Sequence, residues 1–356
     1  IVIGVTGSYG KTSTKEFLTT ILSQKFKVLS THHHQNSEIG ISRCILDNLL
    51  PQHEIFIVEM GSYGKGGIKL LCDIVQPDIG VVTGVNEQHL SLFKTMDNLL
   101  SAEGGRELLQ YLPKGGLLVV NGDNKYCLDL YKKASLNKKL YTAKGEWVEA
   151  DVAAKEIEVH RNSLDFVVMT KDKQAAHFTV DVLGGHNIQN VLGAVLVAKE
   201  LGMSLEEIGL AARHIKSQQA GISLKNGIHG IDVIDSSYSA NPDGVVADLS
   251  YLNIFPGKKI IVMPSLIELG KKSAEIHQDL GRNIADVCDM AIITSRAQFA
   301  ALKAGAVANG MDEKRIIFSD KPKEIVNLIT TFCKEKDAVL LEGRVPGQVV
   351  SLLINK

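Results

Sequence analysis

Ile1-Val2-Ile3-Gly4-Val5-Thr6-Gly7-Ser8-Tyr9-Gly10-Lys11-Thr12-Ser13 sets an apolar run, a glycine-rich turn and a polar helix start in succession. Ile1–Val5 reads as a buried strand, and the apolar spacing from about Thr12 to Leu22 reads as an amphipathic helix. A glycine loop between such a strand and such a helix is the setting of a phosphate-binding loop. Glycines let the backbone curl so that its N–H groups face phosphate oxygens, and the helix N-terminus adds a positive partial charge. Gly7, Ser8, Tyr9, Gly10, Lys11, Thr12 and Ser13 are therefore the expected nucleotide-binding residues. Lys11 would reach the outer phosphates and the Thr12 hydroxyl would hold Mg2+. The spacing departs from the usual G-x-x-x-x-G-K-[ST], because Val5 stands where the first glycine would be.

Outward from this loop, apolar strand-like runs alternate with helical patterns. Lys27–Ser30, Glu54–Met60, Ile79–Thr83 and Gly116–Asn121 read as strands, and Ile39–Leu50 and Asp97–Leu109 as helices. That alternation predicts a parallel, doubly wound sheet. The pattern changes after about Lys138. Ser163–Met169 and His177–Val182 alternate with period two, which predicts antiparallel hairpins within Val152–Val182. Helices are expected from about His186 to Leu201 and from Ser204 to Ile215. Strand–helix alternation returns with Ile231–Asp235, Lys259–Met263, Met290–Thr294 and Ala338–Leu341. The polar, glycine-containing segment Lys216–Gly227 between the two regions marks a domain boundary, giving domains of residues 1–218 and 219–356.

A length of 356 residues fits two or three domains. Hydrophobic residues make up 45% and charged residues 22%, enough apolar surface for a real core. The formal net charge is -1, so no strong field draws the chain to nucleic acid or an anionic membrane. Mean hydropathy is +0.06, and no apolar run approaches the ~18 residues of a spanning helix. The five cysteines, Cys44, Cys72, Cys127, Cys288 and Cys333, form no C-x-x-C pair, which argues against a disulfide framework or structural zinc. The cytoplasm is the expected compartment. The chain starts at Ile1 inside a strand-like run with no initiator Met, so an upstream segment is expected to be missing.

Gly-Ser-Tyr-Gly-Lys recurs at 61–65, but Gly66 and Gly67 follow it, so no hydroxyl stands beside Lys65. This copy reads as a glycine turn. Glu59 ends the strand before it, at the carboxyl edge where a ligand of such a sheet lies, and a carboxylate there suits Mg2+. His89 follows the strand Ile79–Thr83 and emerges on the same edge. The adjacent His32, His33 and His34 point in alternating directions on an extended segment and make a poor joint metal site.

These residues resemble the Mur ligases, ATP-dependent amide ligases of peptidoglycan synthesis, over nearly the whole chain. Thr6–Ser13 is similar to the family's shorter loop G-x-x-G-K-[ST], which accounts for Val5. Asn36-Ser37-Glu38-Ile39-Gly40 resembles its Asn-Asn-Glu-Ile-Gly, Glu59-Met60-Gly61 its metal-binding Glu-Leu-Gly, and His89-Leu90 its His-Leu metal ligand. Gly185-His186-Asn187 to Asn190 resembles the helix start that holds adenine. Ser237-Tyr238-Ser239-Ala240-Asn241-Pro242 and Glu268-Leu269-Gly270 with Ser273 and His277 resemble segments of the branch that ligates D-alanyl-D-alanine onto UDP-N-acetylmuramoyl-tripeptide. The resemblance implies an α/β chain: a parallel doubly wound P-loop ATPase domain with an antiparallel β insertion, then a smaller Rossmann-like α/β domain. The family's N-terminal nucleotide-sugar domain has no counterpart here.

The resemblance further implies ATP and Mg2+ as cofactors, with Thr12, Glu59, His89 and Glu103 at the metal. Lys11, Glu103 and His89 are the implied catalytic residues. Asn187, Asn190 and Asp235 join the loop as implied ATP contacts, and Asn36, Tyr238 and Asn241 as substrate contacts. The substrates would be small molecules, a nucleotide-sugar peptide or other carboxylate acceptor and an amine donor, handled by a monomer without nucleic acid or a membrane span. The acceptor carboxylate would take the γ-phosphoryl group as an acyl phosphate, and the amine would then displace phosphate. Four positions depart from the pattern. Glu103 replaces a carbamylated lysine on the helix after His89, Ile222 an arginine, Ser236 an aspartate, and Glu342-Gly343-Arg344 a Lys-Gly-Ser. Two alternatives stay open: an amide ligase with another acceptor, of folylpolyglutamate or poly-amino-acid type, and a nucleotide-binding partner protein with degraded catalysis.

Overall fold

The structure is a computed structural model, and it describes residues 1–32, 35–87, 89–144, 150–237 and 240–354. It divides into two compact units. One comprises Ile1–Glu158, Ser163–Val182 and His186–Ala220, and the other Val159–Asn162, Leu183–Gly185 and Gly221–Lys356.

The first unit runs β1 (Val2–Thr6), α1 (Lys11–Leu22), β2 (Val28–Ser30), α2 (Glu38–Asn48), β3 (Ile55–Glu59), α3 (Gly67–Val75) and β4 (Ile79–Val82). It continues with α4 (Leu90–Phe93), α5 (Met96–Ser101), α6 (Arg106–Tyr111), β5 (Leu117–Asn121), α7 (Lys125–Lys133) and β6 (Asn137–Thr142). Strands β7 (Val152–Val159), β8 (Leu164–Thr170) and β9 (Ala175–Val180) and helices α8 (Asn187–Glu200) and α9 (Leu205–Ala212) complete it. The strands form a nine-stranded sheet in the order β2-β3-β1-β4-β5-β6-β7-β8-β9. The pairs from β2 to β7 are parallel, and β8–β9 is antiparallel. The period-two segment thus extends the edge of the parallel sheet. Strands β3, β4 and β5 are buried along their whole length, as continuous apolar runs covered on both faces should be. Helix α1 buries Phe17, Leu18, Ile21 and Leu22. At roughly 1.5–3 kcal/mol per fully buried large apolar side chain, that stripe is what fixes the helix behind the loop.

One expected helix is broken. The apolar spacing predicts one continuous helix over Asp97–Leu109, but α5 and α6 are separated by Ala102–Gly105. Gly105 takes φ 80°, a left-handed conformation that an L side chain rarely adopts, and starts α6. Apolar spacing across the break mimics one helix, and the Gly104-Gly105 pair is the signal that outweighs it. Glu103 therefore sits in a turn, not on a helix, and is 2% exposed. Glu107 is buried as well, so neither is a solvent-facing helix carboxylate.

The second unit runs β10 (Ser223–Asn226), β11 (Asp232–Ser236), α10 (Pro242–Leu252), β12 (Lys259–Met263), α11 (Ser273–Val287), β13 (Met290–Ile293) and α12 (Phe299–Ala308). It ends with β14 (Ile316–Phe318), α13 (Pro322–Phe332), β15 (Ala338–Glu342) and α14 (Gly347–Leu353). Its six strands lie in the order β10-β11-β15-β12-β13-β14. All pairs are parallel except β10 with β11. Val233, Val262, Ile292, Val339 and Leu341 form a core with Ile325, Ile329, Val349 and Leu353 of α13 and α14. Strands β6, β10 and β14 escape the sequence reading, because each is short or half-polar at an edge of its run.

Candidate active site

The glycine loop leaves β1 and ends at Gly10, which caps α1 with φ 74°. A Cβ at Gly10 would lie 2.6 Å from Asn190 Oδ1, so the loop and the start of α8 approach too closely for any side chain there. The Ser8 N–H donates to Gly84 O at 2.7 Å, and the Thr83 hydroxyl donates to Tyr9 O, which pins the loop to the segment after β4. Lys11 Nζ donates to Gly7 O at 2.6 Å and to Ser8 O at 3.4 Å, folding back over the loop. Tyr9 receives at its hydroxyl a hydrogen bond of 3.2 Å from Asn124 Nδ2. Thr12 and Ser13, in the first turn, are only part-buried.

Three residues singled out in sequence form one chain of contacts. Ser8 Oγ donates to Glu103 Oε2 at 2.7 Å, and His89 Nδ1 lies 2.7 Å from Glu103 Oε1. The break between α5 and α6 is what delivers Glu103 to the loop. Glu59, 4% exposed, ends β3 on the same edge of the sheet, with Oε1 receiving a 3.1 Å hydrogen bond from Asn36 Nδ2. Asn187 and Asn190 form another chain: Asn190 Nδ2 donates to Asn187 Oδ1 at 2.9 Å, and Thr14 Oγ1 donates to Asn190 Oδ1 at 3.3 Å. Asn187 is fully buried inside the first turn of α8, with His186 in the capping position, so it does not cap the helix.

The donors near the loop are oxygen-rich: the Thr12 hydroxyl and the carboxylates of Glu59 and Glu103. Among the described residues no three His, Cys, Asp or Glu side chains converge to hold an ion by themselves. That set fits a hard cation such as Mg2+, which takes one or two carboxylates and fills its shell with phosphate oxygens and water. It would not serve an ion that needs a complete protein cage.

The second Gly-Ser-Tyr-Gly-Lys copy has a different chemistry. The N–H groups of Gly66 and Lys69, at the start of α3, both donate to the Glu107 carboxylate, at 2.8 and 3.0 Å. Ser101 Oγ adds a third bond to Glu107 at 3.0 Å. The protein's own carboxylate thus holds the position an anion would take.

Sequence reading missed a second ring of polar residues. Asn121 Nδ2 donates to Thr83 O at 2.9 Å and to Gln189 Oε1 at 3.1 Å, and Gln189 Nε2 donates to Asp123 Oδ2 at 3.0 Å. Asn121-Gly122-Asp123-Asn124 closes an apolar strand with polar residues, and that change of composition at a carboxyl edge was the available signal. Lys15, fully buried on α1, was also passed over.

The remaining residues belong to the second unit. Burial would push the Asp235 carboxyl up, but hydrogen bonds from Lys225 Nζ at 2.6 Å and from Ser237 hold it below its usual range. Asn241 caps α10, accepting from the Gly244 N–H at 3.0 Å. Tyr238 lies outside the described residues, as do His33 and His34. His277 Nε2 accepts the Leu266 N–H at 2.9 Å, so Nδ1 carries the proton and donates to Ser273 O at 2.6 Å. Burial lowers its pKa. This histidine ties the loop after β12 to α11, a structural task that its motif alone does not disclose. Glu342, at the end of β15, is 1% exposed, and its Oε2 finds no hydrogen-bond partner. Burial raises its pKa well above normal, and the nearby Asp248 carboxyl raises it further.

Comparison with known proteins matches residues 5–198 to the Mur ligase middle domain and residues 222–345 to the Mur ligase glutamate ligase domain. The UDP-N-acetylmuramoyl-tripeptide--D-alanyl-D-alanine ligase of Synechocystis is 30% identical over 338 residues, 93% of this chain and 69% of that protein. The Escherichia coli ligase of the same name is 26% identical over 344 residues, covering 96% and 73%. Among solved structures, MurF from Acinetobacter baumannii superimposes with a TM-score of 0.86 at 27% identity, over 99% of this chain and 76% of that one. MurF ligase from Thermotoga maritima in complex with ADP gives 0.84 at 26%, over 99% and 78%.

Proposed function

The chain belongs to the Mur ligase family, and from that premise we propose that it joins D-alanyl-D-alanine, or a closely similar amine, to a peptidoglycan-precursor peptide. It is an ATP-dependent ligase that works through an acyl phosphate. The observation that carries the reading is the loop Gly7–Ser13 between β1 and α1, joined through Ser8 to the buried Glu103 and His89.

Phosphoryl transfer needs positioning and neutralisation more than covalent chemistry. In this reading the loop N–H groups of Gly7–Ser13, apart from that of Ser8, and the N-terminus of α1 take the ATP phosphates. Lys11 exchanges Gly7 O and Ser8 O for phosphate oxygens. Asn187 and Asn190 hold the adenine side. Thr12, Glu59, Glu103 and His89 would hold Mg2+, which offsets charge on the transferring phosphoryl group. Glu103 supplies a permanent carboxylate where the family uses a carbamylated lysine, so turnover proceeds without bicarbonate. Asn36 is the proposed substrate contact of the first unit, and Asn241 that of the second. The substrates are small molecules, and we assign the reaction to the cytoplasm, carried out by a monomer.

A second reading has one specific observation behind it. Ile222, where the family has an arginine, is buried in the second unit and brings no charge to phosphate. On that reading the chain binds nucleotide and turns over nothing. The test is phosphate release from ATP with the tripeptide nucleotide and D-alanyl-D-alanine supplied singly and together, with the product identified by mass spectrometry. Release only with both substrates, and a product carrying the dipeptide, supports the ligase. ATP binding without product under any pairing supports the second reading. Product with an amine other than this class overturns the substrate assignment.

A further inference from the structure

Lys15 is a fully buried lysine on α1, one turn beyond Lys11, and none of the motifs above contains a task for it. Its ammonium has three N–H donors. One bonds Thr31 O at 2.7 Å, and two carboxylates lie beside it, Glu16 Oε1 at 2.9 Å and Glu59 Oε2 at 4.0 Å. Thr31 is in turn bound to Glu59, whose N–H donates to Thr31 Oγ1 at 3.0 Å. The other Glu59 oxygen is held by Asn36, and Asn36 O receives the Gly61 N–H at 2.9 Å. One ammonium thus stands among α1, the end of β2 and the end of β3.

A buried ion pair is a poor device for stability, since an apolar side chain of similar volume does as well or better in the same space. The neighbours Thr14, Phe17, Leu18 and Leu22 are buried already, so nothing in the packing of α1 asks for a charge. The two carboxylates also differ. The Glu16 side chain is 18% exposed and can be hydrated, whereas that of Glu59 is 5% exposed and takes its hydrogen-bonding and ionic partners from the protein.

We propose that Lys15 is a positioning residue whose ammonium keeps Glu59 aimed at the nucleotide-bound cation, with the Thr31 turn and Asn36 held in register around it. The proposal rests on the reading of Glu59 as the cation-facing carboxylate. Partners of this kind behind a metal-binding side chain alter metal affinity by roughly 10–100-fold when removed.

The test is calorimetric titration of ADP in Mg2+ and in EDTA, on the full chain, for wild type, Lys15→Met, Lys15→Gln, Lys15→Arg and Glu59→Gln. Mg2+ should strengthen ADP binding to wild type, and Glu59→Gln should lose that gain. Lys15→Met and Lys15→Gln should bind ADP in EDTA within about twofold of wild type and lose at least tenfold of the Mg2+ gain. Lys15→Arg should recover most of it. If Glu59→Gln loses the gain but the neutral Lys15 variants keep it, Lys15 does not act through Glu59. Equal losses in Mg2+ and EDTA, or failure of both neutral variants to fold, would make Lys15 structural and overturn the proposal. If Glu59→Gln keeps the gain, the reading of Glu59 fails and the proposal falls with it.

Discussion

Three side chains carry the sharpest consequences. Lys11 opens helix α1, whereas Lys65 precedes a helix whose first N–H groups are already bonded to Glu107. Lys11→Ala should cut ATP turnover about 100-fold or more, the usual loss when one charge-stabilising donor is removed. Lys65→Ala should stay within about twofold, as measured by phosphate release. Glu103 is pinned by Ser8 and His89, so Glu103→Gln keeps the size and most of the hydrogen bonding but removes the charge. Its kcat should fall by roughly 10–100-fold with little change in melting temperature. Wild-type activity should be the same in CO2-free and bicarbonate buffers; a bicarbonate requirement would refute Glu103 as the standing carboxylate. Glu342 predicts a pH effect of definite sign. Its folded pKa is raised well above 4.5 by burial and by Asp248, so the folded chain holds a proton that the unfolded chain releases. The stability this lends is fully present below about pH 4.5 and is lost as pH rises through the folded value. Glu342→Gln should flatten that fall in denaturant titrations at successive pH values.

At the level of elements, the sequence discloses what repeats along it and conceals what depends on contacts across it. The strand–loop–helix at Val2–Leu22 is legible because its apolar periods, glycines and lysine all agree. The course of Met96–Tyr111 is not, since apolar spacing continues through the break and only the glycine pair signals it. The same limit hid the burial of Glu103, which meets Ser8 and His89, and of Glu107 on α6, which meets the start of α3. Lys15 was hidden for a related reason: a lysine on a helix is usually solvated, and its burial depends on Thr31 and Glu59 arriving from other strands. Helix α8 is an intermediate case. Its Asn187 and Asn190 were visible, but the contact of Asn190 with Thr14 and its approach to Gly10 were not. Asn190 therefore touches the phosphate loop as well as the proposed adenine side. Asn190→Ala should raise the KM for ATP by about 3–10-fold, the worth of one or two neutral hydrogen bonds, and should narrow the preference for ATP over GTP. Unchanged nucleotide selectivity would place adenine elsewhere.

Across the whole molecule, two α/β units with their own sheets were expected from the return of strand–helix alternation after Gly230, and two units are present. Among the described residues no helix is long and apolar enough to cross a membrane, in keeping with the even charge balance and modest hydropathy. The recurrence of Gly-Ser-Tyr-Gly-Lys has a final consequence for counting. The pentapeptide occurs twice in this chain, yet the molecule should bind nucleotide with a stoichiometry of one. At the second copy the tethered Glu107 carboxylate already accepts the Gly66 and Lys69 N–H groups and competes with any dissolved anion. Equilibrium dialysis with ADP should plateau at one per chain, and Glu107→Gln, which leaves the loop intact but discharges the competitor, should admit a weak second equivalent of inorganic phosphate. The same five letters thus stand at the proposed nucleotide site in one place and at a carboxylate-bound helix start in the other, where the carboxylate lies about forty residues away in sequence.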